Sequence, residues 1–94
     1  MKSELAAINA LGLTLHGDRQ KLSAFTFQSL REHIDEVEGL LAAKDPHWKA
    51  EAIDIIIHSY LLLERQGVSM EEIQELQQKR LGRFKEKISK ALSR

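Results

Sequence analysis

Ninety-four residues carry fourteen Lys and Arg against fourteen Asp and Glu, with no cysteine and a single proline. That length suits one helical domain spanning 1–94 with a small core, and the charge balance leaves no overall field to draw the chain to nucleic acid or an acidic membrane surface. The lack of cysteine excludes a disulfide framework and a thiolate metal site, in keeping with a cytoplasmic protein.

The opening Met-Lys-Ser-Glu-Leu lacks the apolar core of a signal peptide. The longest apolar run, Ile55 to Leu63, is interrupted by His58 and Ser59 and reaches only about half of the ~20 residues a membrane span needs. An excess of Leu, Ile, Ala, Glu, Lys and Gln, with no stretch alternating at period two, predicts an all-α chain.

In chain order, Ser3 is the candidate cap of a first helix whose apolar positions Leu5, Ile8, Leu11 and Leu15 recur at three and four residues. Gly17-Asp18 reads as its stop. A second helix is expected from about Ser23. In it Phe27, Leu30, Ile34, Val37 and Leu41 form a stripe suited to an antiparallel neighbour. His33 and Glu36 flank that stripe on one side, with Glu32 beside them, and Asp35 and Glu38 on the other.

Lys44-Asp45-Pro46 breaks the helix, with Asp45 the candidate cap and Pro46 the first residue of a third helix. The short connection makes the second and third helices antiparallel partners. The third helix is apolar on almost every side through Ile53, Ile55, Ile56, Ile57, Tyr60, Leu62 and Leu63, a surface that one neighbour is too little to cover. One strip differs, because Glu51, Asp54 and His58 share a face. Gly67 closes this helix. Ser69 and Glu72 then form a capping box, with Val68 and Ile73 as its staple. A fourth helix runs from Met70 towards Leu92, with Ile73, Leu76, Phe84 and Ile88 expected inward and Gly82 weakening its middle.

Carboxylates one turn apart on two facing helices are how helical bundles bind hard divalent cations, which neutralise the mutual repulsion of the acids. Glu32-His33-x-x-Glu36 and Glu51-x-x-Asp54 have that form. In order and spacing they resemble the all-α nucleoside triphosphate pyrophosphohydrolases, the MazG-like and dimeric dUTPase group, whose helices carry EExxE and then ExxD. The similarity covers roughly Leu30 to Phe84, including Gly67 to Glu72 and the last helix with Lys79 and Arg83. Glu51 and Asp54 match the second motif. In the first, His33 stands where a metal-binding Glu is expected, and imidazole suits manganese, zinc or nickel better than magnesium. A register through Asp35-x-x-Glu38 restores two acids but puts them on the other side of the stripe.

The resemblance implies a four-helix, MazG-like bundle built on the central hairpin and assembled as a dimer or tetramer. It implies cleavage of a nucleoside triphosphate to the monophosphate and pyrophosphate with Mg2+ or Mn2+. Glu36, Glu51 and Asp54 would hold the metal with His33 as a fourth ligand, and His58 would stand behind them. Glu32 or Glu36 would activate water, and Lys79 and Arg83 would meet phosphate oxygens. A phosphoribosyl-ATP pyrophosphatase is the related alternative. A non-catalytic helical interaction module is the reading from a different class.

Overall fold

The computed structural model of the chain describes residues 2–93. Among them the protein is all-α, with four helices and no strand: α1 (Lys2–His16), α2 (Arg19–Ala42), α3 (Trp48–Arg65) and α4 (Met70–Leu92). None of these helices is long and apolar enough to cross a membrane.

Helix α1 already includes Ser3, which is therefore not its cap. Its inner line is Leu5, Asn9 and Gly12 rather than Leu5, Ile8, Leu11 and Leu15, of which only Leu5 is buried. Two features turn this face inward. The Asn9 amide donates to the Leu61 carbonyl at 2.9 Å and to Glu64 Oε1 at 2.5 Å, and Gly12 leaves room for Leu22, whose Cδ1 would lie 3.1 Å from a Cβ placed there.

Gly17, in the left-handed region at φ +95°, ends α1 and turns the chain. Asp18 then takes extended geometry and its side chain accepts from the Lys21 amide. Helix α2 thus starts at Arg19, four residues before the expected Ser23, because a well-placed cap outweighs the modest helix propensity of the Phe-Thr-Phe segment.

The face that α2 buries differs from the expected stripe. Leu22, Thr26 and Ser29 are buried, and His33, Val37 and Leu40 continue the line half-buried. Phe27 and Ile34 are 45% and 55% exposed, and Leu41 is exposed with them. Thr26 and Ser29 are small for an inner line, and the Thr26 hydroxyl is satisfied there. The Thr26 hydroxyl, 2% exposed as a residue, donates to the Leu22 carbonyl and accepts from the Arg65 guanidinium at 2.7 Å.

Helices α2 and α3 share the most extensive interface of the fold. Thr26 meets Arg65 and His33 meets Glu51, so advancing along α2 means retreating along α3, the antiparallel hairpin that the short connection predicts. In that connection Lys44 adopts φ +57° and Asp45 Oδ1 accepts from the His47 amide. Asp45 therefore caps a tight turn, and α3 proper begins at Trp48, two residues after Pro46.

Gly67, at φ +79°, ends α3 as expected. Ser69 Oγ accepts from the Glu72 amide at 3.1 Å and starts α4. Only the base of α4 is packed. Ile73 is 3% exposed and shares a hollow with Leu5, Val68 and Met70, and Gln77 Nε2 donates to the Tyr60 hydroxyl at 3.1 Å. Leu76, Phe84 and Ile88, expected inward, are exposed, because α4 projects beyond the three-helix core and meets nothing there. The consequence is an elongated molecule of 51 × 36 × 22 Å. Its Cα radius of gyration of 16.2 Å compares with about 12 Å for a compact domain of this length.

Candidate metal centre

One turn separates His33 from Glu36 on α2, and one turn separates Glu51 from Asp54 on α3. The antiparallel hairpin sets these pairs against each other. His33 Nδ1 lies 2.5 Å from Glu51 Oε2 and 3.9 Å from Asp54 Oδ2. Ligand atoms of His33, Glu36 and Glu51 all fall within 4.8 Å of one another.

Glu51 is 9% exposed and is the one buried carboxylate among the described residues. A carboxylate in that position is tolerated only when neutralised. Its hydrogen bond to His33, and then that to Glu36, hold its carboxyl below the ordinary glutamate range. Glu36 moves the other way. Sharing a hydrogen bond with Glu51 and facing its charge keeps the Glu36 carboxyl above the ordinary range. Two carboxylates this close repel one another when both are ionised, and a proton or a divalent cation relieves such a pair.

His58 stands one turn beyond Asp54, its ring 5.3 Å from that of His33, with the Phe25 ring meeting it edge-on at 6.4 Å. Burial, and then the nearby His33, push its pKa below the ordinary histidine value. It supports the His33 ring from behind. Glu32 sits exposed at the rim of the cluster, accepting from Gln28 Nε2 at 2.9 Å, and its charge contributes to the upward shift of Glu36.

The other expected residues lie elsewhere. Lys79 and Arg83 are exposed on α4 and make no ion pair with the cluster among the described residues. Arg83 instead lines a groove on α4 itself with Arg80, Phe84 and Lys87. Asp35 and Glu38, the acids of the alternative register, are exposed and are not members of the cluster. His47, not among the expected site residues, pairs with Glu51 from outside the cluster: its Nε2 is 3.3 Å from Glu51 Oε1. The signal was its spacing of four residues from Glu51.

Two carboxylates and an imidazole within 4.8 Å fit a divalent cation of intermediate hardness. Ligands at 2.0–2.2 Å from one ion stand roughly 3–4 Å apart, so an ion held by all three would have to replace the 2.5 Å hydrogen bond between His33 and Glu51. The nitrogen donor shifts preference from magnesium towards manganese or zinc. No family model, curated protein or solved structure matches the chain, and the chemistry of the site rests on these side chains themselves.

Proposed function

We propose that the chain is a metal-dependent nucleoside triphosphate pyrophosphohydrolase, cleaving a (d)NTP to the (d)NMP and pyrophosphate in the cytoplasm. The observation that supports it is the approach of His33, Glu36 and Glu51 from two antiparallel helices to within 4.8 Å of one another, with Asp54 outside that group and its Oδ2 3.9 Å from His33 Nδ1. A bound Mn2+ or Mg2+ supplies charge neutralisation of the triphosphate and Lewis acidity at its phosphoryl oxygens. Glu36, Glu51 and Asp54 provide the oxygen donors and His33 a nitrogen donor, while His58 fixes the His33 ring.

Glu32, at the open rim, takes the proton of the attacking water. The water oxygen bonds to the α-phosphorus as the bond to the α,β-bridging oxygen breaks, and pyrophosphate leaves. Glu36 is the second candidate base, since its raised pKa makes it the more basic carboxylate of the pair. The test is pyrophosphate release from common and oxidised nucleotides, and from phosphoribosyl-ATP, with Mg2+ or Mn2+. Turnover lost in Glu51→Gln supports the reading, and no turnover from folded wild type with either metal removes it.

A second reading, a non-catalytic helical interaction module, is favoured by the exposure of Phe27, Ile34, Ile53 and Ile56. Divalent metal separates the two. It raises the melting temperature of wild type but not of Asp54→Asn if the acids form a site, and leaves both unchanged if they do not.

A further inference from the structure

We infer that the free end of α4, residues 79–92, docks on an anionic lipid surface, with its apolar side chains in the interface and its cations on the headgroups. The equal numbers of cations and acids in the whole chain conceal a division. Residues 79–92 hold six Lys and Arg and one acid, a net +5, whereas residues 1–78 hold seven Lys and Arg and thirteen acids, a net −6.

The segment is also amphipathic. At roughly 100° per residue, Leu81, Phe84, Ile88 and Leu92 fall within an arc of about 80° of the helix, and they are 57% to 82% exposed. Arg80 and Lys87 border one edge of that arc and Lys85 the other, while Glu86 stands on the opposite side. The Arg80 guanidinium lies 5.7 Å from the centroid of the Phe84 ring, so charge sits directly beside the apolar surface. Of the six cations only Lys90 has a carboxylate in ion-pair reach among the described residues, Glu86 at 2.9 Å.

Both features select the occupant. Nucleic acid would pair with the cations but leave the bulky apolar side chains of the arc in water. A purely apolar groove would bury the arc and leave the charges at its edges without partners. An anionic bilayer meets both: the arc enters the boundary between headgroups and acyl chains, and the Lys and Arg at its edges lay their stems along that boundary and place their charges on the headgroups. Ile73 is the one buried position of α4, and Phe84 lies about 16 Å beyond it along the helix axis. Charge is screened over about 8 Å at physiological salt, so the acids of the body act weakly on the free end. An anionic surface therefore attracts that end and orients the acidic body away from itself.

Flotation of the full chain with vesicles, without metal or nucleotide, tests this. The chain is expected to bind vesicles of equal parts phosphatidylglycerol and phosphatidylcholine, and to bind about tenfold more weakly to phosphatidylcholine alone or in high salt. Phe84→Gln with Ile88→Gln, which changes no charge, is expected to lose binding with unchanged helical content by circular dichroism, since both side chains are exposed. Arg80→Gln with Lys87→Gln is expected to bind about tenfold more weakly, with a shallower salt dependence. A wild type that binds neither vesicle overturns the inference, whatever its state of association, and so does equal binding to both. Tighter binding to a single-stranded oligonucleotide than to the charged vesicles overturns it in favour of nucleic acid. Wild-type binding by both variants overturns the assigned face. The result is independent of pyrophosphate release, which is measured without lipid.

Discussion

His33 on α2 and Glu51 on α3 meet at 2.5 Å across the hairpin, so the buried carboxylate of α3 is answered by an imidazole rather than by a lysine or arginine. An imidazole is a partner that a metal ion replaces easily, because the nitrogen that donates to the carboxylate is also a ligand once deprotonated. Mn2+ at a hundredfold excess over its Kd is expected to stabilise wild type by about 2.7 kcal/mol. Glu51→Gln, which keeps the shape and removes the charge, is expected to abolish that gain. Thermal melts with and without Mn2+ read it, and an equal shift in both proteins sinks the cluster as a metal site.

Asn9 ties α1 to α3 from a buried position, donating to the Leu61 carbonyl and to Glu64. Asn9→Ala leaves both acceptors without that donor, a loss of about 1–3 kcal/mol. Urea unfolding is expected to show a lowered midpoint with an unchanged slope. A midpoint within error of wild type would mean that α1 is held by Leu5 alone.

Two glycines in helices give opposite signs. A Cβ at Gly12 meets Leu22 Cδ1 at 3.1 Å, whereas one at Gly39 meets nothing within 4 Å. Gly39→Ala is expected to stabilise by roughly 0.5–1 kcal/mol through backbone entropy. Gly12→Ala gains the same entropy but crowds a packed contact, where overpacking costs about 1–3 kcal/mol, so a net loss is expected. Denaturant midpoints of the two variants check the contrast, and a stabilised Gly12→Ala would show that Leu22 moves aside freely.

His58 is held below the ordinary histidine value of 6.5 by burial and then by His33. The unfolded chain therefore binds a proton at this position before the folded chain does. Stability is complete above 6.5 and declines as pH falls from there through the folded pKa. Replacing the imidazole, as in His58→Gln, is expected to flatten this part of the profile. Urea titrations in chelating buffer on either side of 6.5 measure it, and a variant with the wild-type slope assigns the dependence to another group.

Much of this molecule follows from local chemistry. The stops at Gly17 and Gly67 need a left-handed residue, the Ser69 cap needs a hydroxyl beside a free amide, and acids one turn apart share a helix face wherever that helix lies. For the same reason the hairpin and the approach of His33 and Glu36 to Glu51 are legible in the sequence: a short connection forces antiparallel neighbours, and periodicity supplies the facing pairs. The pairing of His47 with Glu51 was open to the same logic, since a spacing of four residues already carried it.

Which side of each helix turns inward is a matter of packing, and there apolarity alone misleads. On α2 the line through Thr26 and Ser29 won over the more apolar one through Phe27, Ile34 and Leu41, because small residues allow closer packing than bulky ones and the Thr26 hydroxyl is satisfied by Leu22 and Arg65. On α1, Asn9 and Gly12 displaced Leu11 and Leu15 for the same reason, a hydrogen bond and a close approach that no periodicity encodes. On α4, Leu76, Phe84 and Ile88 stay exposed although Ile73 is buried, because a helix buries its apolar face only against a surface within reach.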